Sequence, residues 1–190
     1  MKRWTVLFLL LPVLFLSACA GKKDVKCEVI LEEIAREMVG VETVCLPLDL
    51  CDSMSFTTLQ DALSGLPAGE VYVPGKAPGE EGYLSPFVLE SLYGAHAEEA
   101  FSQIEDYAVY LSSVAEPYEI AVFRCCTVSD ADGVVELCRE RRDLLQTLLR
   151  DTDFRQMTDC IRIIRHGKYV VMTLTADPGK TESAVRGALN

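Results

Sequence analysis

The stretch "YAVYLSSVAEPYEIAVFRCC", residues 107–126, decides how this chain folds. Tyr107–Val114 and Tyr118–Cys126 are dense in aromatic and β-branched residues, the types that pack well on a pleated surface. Only Ala115, Glu116 and Pro117 separate them, so the spacing predicts two antiparallel strands joined by a short turn. Downstream comes "SDADGVVELCRERRDLLQTLLRD", residues 129–151. Val134, Cys138, Leu145 and Leu148 make a helical stripe, and Ser129 with Asp132 matches an S-x-x-D capping box. "DADG" lacks the EF-hand spacing of acids, so it reads as a helix start and not as a calcium loop. "CIRIIRHGKYVVMTLTA", residues 160–176, reads as two strands meeting at His166-Gly167, where glycine fits a type I′ hairpin turn. "DPGKTESAVRGAL", residues 177–189, gives a short last helix starting near Pro178. The order from Tyr107 is ββαββα. It predicts an α+β fold: an antiparallel sheet of two ββα units, with helices packed mainly on one face and an N-terminal helix added to it.

Upstream the pattern is less regular. "CEVILEEIAREMVG" places Ile30, Ile34 and Met38 on one helical face and closes at Gly40. "TTLQDALSGLP" is a shorter helix with Thr57 or Thr58 as its cap. Residues 65–86 hold nine Gly or Pro in 22 positions, which predicts a loop with a short strand at "EVYVP". In "SPFVLESLYG", Ser85 caps a brief helix, Pro86 takes its first position and Gly94 follows it. The chain therefore divides into a core at 107–190 and an N-terminal helix with an acidic, Gly/Pro-rich connecting region at 27–106.

The first 18 residues are of another kind. Lys2 and Arg3 precede an apolar run from Trp4 to Leu16, too short to span a bilayer and suited to an export signal. "LSAC", residues 16–19, looks like a bacterial lipobox. That reading makes 1–18 a lipoprotein signal peptide, Cys19 the site of diacylglycerol attachment, and 19–26 a lipidated tether. A diacylglycerol supplies the two chains that stable anchoring needs. The expected location is the extracytoplasmic face of the cell membrane.

Charge is unevenly spread. Residues 37–123 carry 15 acids against one base, Lys76, whereas residues 124–190 carry 11 bases against 10 acids. So acidic a chain argues against nucleic acid as a partner. It is compatible with a solvated surface, or with a basic protein, peptide or cation. Besides Cys19 there are seven cysteines, an odd number. Cys125 and Cys126 are adjacent in a strand and point to opposite faces. Cys138 falls on a helical stripe and Cys160 opens a strand. If any pair bridges, it is Cys45 with Cys51. No Cys/His group has zinc spacing, so no metal and no cofactor is expected.

The lipobox, "LYG", "DYAVYLSS", "EIAVFR", "RERRDLLQ" and "HGKYVVMTLTAD" together resemble a family of short lipoproteins from Firmicutes, chiefly clostridial, that carry a C-terminal domain of unknown function. The resemblance runs from about Phe87 to Leu189. It implies a surface lipoprotein and supplies no catalytic or binding residues.

Candidate chemistry is sparse. His96 lies near Glu98 and Glu99, and His166 occupies a hairpin. Cys160 and His166 are about 20 Å apart along one strand, too far for a dyad. Cys125 or Cys126 with His96 stays open as a pair. Glu98-Glu99 and Glu80-Glu81 read as solvated acids, and no hydrolase, zinc-protease, P-loop or dinucleotide motif is present. The expected function is a membrane-anchored, non-catalytic binding or interaction module. The alternative is an envelope enzyme or enzyme accessory subunit.

Overall fold

The computed structural model of the protein describes residues 24–39, 59–112 and 116–190. Its elements are α1 (Cys27–Val39), α2 (Leu59–Leu63), β1 (Gly69–Tyr72), α3 (Pro86–Tyr93), α4 (Ala97–Phe101), β2 (Ile104–Ser112), β3 (Glu119–Cys125), α5 (Asp130–Leu148), a 3-10 helix (Arg155–Cys160), β4 (Arg162–His166), β5 (Tyr169–Leu174) and α6 (Pro178–Leu189). The α+β class stands. The strands form one antiparallel sheet in the order β1-β2-β3-β5-β4, and the short strand at "EVYVP" is its fifth member. Because β5 lies between β3 and β4, those two strands run in the same direction and α5 crosses over the sheet to join them.

The helices do not gather on one face, which corrects the expectation. One face packs Val109, Ala121, Phe123, Cys125, Val170 and Met172 against α3, α4 and α5. The other packs Ala108, Tyr110, Ile120, Val122, Tyr169 and Val171 against α1 and α6. The reason lies in the central strands. β5, "YVVMTL", is buried at every residue, and β3 is buried at all but Arg124. A strand that is apolar on both sides needs cover on both sides. The two helices that follow hairpins thus diverge: α5 takes one face and α6 the other.

Local chemistry explains the element ends. Ser85 caps α3 by accepting from the Val88 amide at 3.2 Å, with Pro86 in the first turn. Asp177 caps α6 by accepting from the Gly179 and Lys180 amides. The box that starts α5 sits two residues earlier than Ser129–Asp132. Thr127 Oγ1 accepts from the Asp130 amide at 3.2 Å, and Asp130 Oδ2 accepts from the Thr127 amide at 2.8 Å. Asp132 is thereby left to pair with Arg165. The β4–β5 loop is Gly167-Lys168, with His166 opposite Tyr169. Gly167 has φ +58°, while no non-glycine residue described has a positive φ. A type I′ turn needs positive φ at both central residues. Glycine at the first of them alone is the type II′ pattern.

Residues 24–26, read as tether, lie against the sheet. Tyr169 Oη accepts from the Val25 amide at 2.8 Å and donates to the Val25 carbonyl at 3.0 Å. The Cys27 amide donates to Asp106 Oδ2 at 3.0 Å, and Lys168 Nζ meets Asp24 at 2.8 Å. The chain therefore leaves the domain beside the β4–β5 turn. Cys19, the leader, Thr57, Thr58, Cys45 and Cys51 lie outside the described residues.

Candidate functional site

The two edges of the sheet are built differently. On β1, Glu70 and Tyr72 pair with Leu111 and Val109 of β2, so Val71 and Val73 turn their backbone groups outward. The Gly/Pro-rich loop lies over them. The Val73 amide donates to the Gly82 carbonyl at 3.3 Å, and a Cβ on Gly82 would stand 2.6 Å from the Val71 carbonyl oxygen. Gly82 has φ +81°, so both its backbone and the space available demand glycine. This edge is covered.

At β4 the alternation runs as follows. The Cys125 amide donates to the Lys168 carbonyl at 2.9 Å, so Lys168 and Val170 face β3 and the intervening Tyr169, Val171 and Thr173 face β4. Their partners His166, Ile164 and Arg162 bond inward. Ile163 and Arg165 turn amide and carbonyl outward, and no other described strand pairs with them. Beside this edge runs a groove of about 460 Å³, floored by Val135, Ile161 and Ile163 and rimmed by Arg139, Arg142 and Arg165 with Asp132 and Glu136. The side chains of Ile161 and Ile163 pack on the α5 side of the sheet. Arg165 crosses to α5, pairing with Asp132 and donating to the Val128 carbonyl at 2.8 Å. Arg139 pairs with Glu136, and Arg142 with Asp143 at 2.8 Å. All three arginine side chains stay at least a third exposed.

The wall of this groove, α5, is held by a buried ion pair that the sequence analysis missed. Arg141 grips Glu119 of β3 through Nε and Nη2 at 3.0 and 2.7 Å from Oε2, with Nε also 3.2 Å from Oε1. Its Nη1 donates to the Leu92 carbonyl at 3.3 Å, bringing α3 into the same knot. Burial pulls the guanidinium pKa down, but the Glu119 carboxylate outweighs it and leaves Arg141 raised. Tyr93 Oη is buried beside the pair without a hydrogen bond, and burial pushes its pKa well up. A signal was present in the residues. Arg141 stands at a stripe position between Cys138 and Leu145, and Glu119 alternates with Ala121 and Phe123 on one strand face. Neither position suits a charge unless another charge meets it.

The three buried cysteines among the described residues, Cys27, Cys125 and Cys138, are not activated nucleophiles. Cys125 is buried and its thiol is pushed up to about 11, while burial raises Cys27 and Cys138 further still. Cys126 is exposed, as opposite-facing neighbours should be. Cys160 closes the 3-10 helix and does not open a strand. His96 sits exposed at the start of α4 and His166 exposed at the end of β4. Glu80, Glu81, Glu98 and Glu99 are exposed. Among the described residues no group of three or more His, Cys, Asp or Glu is placed to hold a metal ion, and no helix is long and apolar enough to cross a membrane. A larger hollow of about 740 Å³ opens between α2 and β1, lined by Leu59, Leu63, Leu66, Val71 and Val73. Charged Glu28, Lys76 and Glu81 and polar Ser64 and Tyr110 also line it. No protein-family model, no curated protein and no solved structure matches the chain.

Proposed function

We propose that this protein is a lipid-anchored extracytoplasmic lipoprotein, tied to the membrane at Cys19, whose domain binds a protein or peptide and does no chemistry of its own. The observation that carries the binding half is the β4 edge, which no other described strand pairs with, lying beside a charged groove in a sheet whose opposite edge is covered. Unpaired strand edges join other chains unless something prevents it. The lipobox and the lipoprotein resemblance support the anchor. With residues 24–26 held to the sheet, only four residues, 20–23, separate Cys19 from the domain, so Cys19 lies at most about 18 Å from Asp24 along the extended chain. The groove would thus work close to the membrane. The acids along β1 and its loop, Glu70, Glu80 and Glu81, favour a basic protein, peptide or cation as a weaker second contact, since they are spread over exposed positions.

Mass spectrometry of the membrane-extracted chain tests the anchor: a mature chain beginning at acylated Cys19 is expected, and Cys19→Ala should stay uncut there. For the binding half, a photo-cross-linking residue is placed at Glu136 on the groove or at Arg186 on exposed α6, in the anchored protein on intact cells. A discrete adduct from position 136 alone supports the reading. Equal yields at both positions, or none at either, refute it.

A further inference from the structure

We propose that the β4 edge takes an extended acidic peptide, which adds to the sheet as a sixth strand with its acidic side chains against α5. This rests on the binding-module reading and names the ligand class of the same groove. Three features fit together. The Ile163 and Arg165 amides and carbonyls point outward at the spacing an added strand requires. The helix beside them forms the second wall, so that every other side chain of an added strand would lie over Val135, Glu136, Arg139 and Arg142. The groove is lined by three arginines and two carboxylates, with Asp143 beside it on Arg142, in a chain of net charge −11, and β4 itself, "RIIRH", holds no acid.

That contrast selects the partner. An acidic strand is repelled by most of this surface and attracted here, which gives register and discrimination against other sites. Arginine forks suit carboxylates, and partners already on the page show the preference: each groove arginine holds an Asp or Glu of its own chain, which an incoming carboxylate can share or displace. A second copy joined through the same edge fits less well. Two antiparallel β4 strands centred on Ile164 would set Arg162 against His166 and bring the Arg165 side chains of both copies into one groove.

The test uses the full mature chain in detergent micelles and a capped octapeptide of alternating Glu and Val, with a Lys/Val octapeptide as counterpart. Amide hydrogen exchange is read residue by residue. With the Glu/Val peptide, the Ile163 and Arg165 amides should slow at least tenfold while the already bonded Ile164 amide changes little. N-methylating the peptide on one alternate set of residues should abolish the effect and on the other set leave it. Arg139→Glu with Arg142→Glu, both on exposed turns of α5, should weaken binding at least tenfold. Protection of the same amides by the Lys/Val peptide instead would overturn the acidic class and leave the edge reading intact. Protection by neither peptide would overturn both. Peptide binding without protection of Ile163 and Arg165 would overturn strand addition. Concentration-dependent protection of these amides without peptide would assign the edge to a second copy and overturn the proposal.

Discussion

The sheet has two edges, and the molecule treats them oppositely. At β1 the outward backbone groups of Val71 and Val73 are met by the loop around Gly82. At β4 those of Ile163 and Arg165 face outward beside arginines. Proteins protect strand edges either by covering them or by charging them. This one does the first on its acidic side and the second on its basic side. The difference teaches that the Gly/Pro-rich segment covers the β1 edge, while among the described residues no strand pairs with the outer side of β4.

The comparison breaks most severely if α5, which walls the β4 groove, loses its anchor. Glu119→Ala leaves the Arg141 guanidinium buried without its carboxylate, with both side chains less than a tenth exposed in the native pair. A loss of about 3–5 kcal/mol in urea unfolding is expected. Replacing both residues, Glu119→Leu with Arg141→Met, should recover most of it. A single variant as stable as the wild type would mean that the pair does not hold α5.

Uncovering the other edge comes next. Gly82→Val meets both a left-handed backbone and the Val71 carbonyl, so it should cost at least about 2 kcal/mol and promote self-association at β1. Light scattering and a urea midpoint read the two effects. Gly167→Val is the sharper control. Its φ is also positive, but nothing lies within 4 Å of an added Cβ, so only backbone strain applies, about 1 kcal/mol. Equal costs at the two glycines would show that Gly82 makes no close contact with β1.

The smallest effect concerns where the chain enters. Its hydrogen bond from Lys168 holds the Asp24 carboxyl below its usual value. A lowered folded pKa contributes attachment that is complete above the unfolded pKa and is lost as pH falls through the folded one. The Val25 amide should therefore exchange faster, relative to its intrinsic rate, below about pH 4, the ordinary carboxylate range. An unchanged protection factor from pH 6 to pH 3 would show that the Asp24–Lys168 pair does not hold this segment.

Much of this was legible residue by residue, and the failures share one cause. The Ser85 cap, the α5 stripe at Val134, Cys138 and Leu145 and the need for positive φ at Gly167 depend on neighbours along the chain, and each was readable there, whereas Leu148, expected on that stripe, is 59% exposed. The α5 capping box was misplaced because Thr127-x-x-Asp130 and Ser129-x-x-Asp132 offer the same chemistry two residues apart. Coverage of both sheet faces was written in the unbroken apolar run of β5, but a two-layer expectation obscured it. Local pattern flags Arg141 on the α5 stripe and Glu119 on an apolar strand face as charges in need of a partner, but their pairing spans 22 residues and joins two elements, so it is not a local property. Which edge no other described strand pairs with follows only from the order β1-β2-β3-β5-β4, and strand order is not a local property.

The most direct test is amide hydrogen exchange on the full chain at low concentration, without added ligand. Val73 should be protected through its bond to Gly82, while Ile163 and Arg165 exchange at least a hundredfold faster than Ile164 between them. Fast exchange at Val73, or protection at Ile163 and Arg165 equal to that of Ile164, would contradict the claim that one edge is covered and the other open.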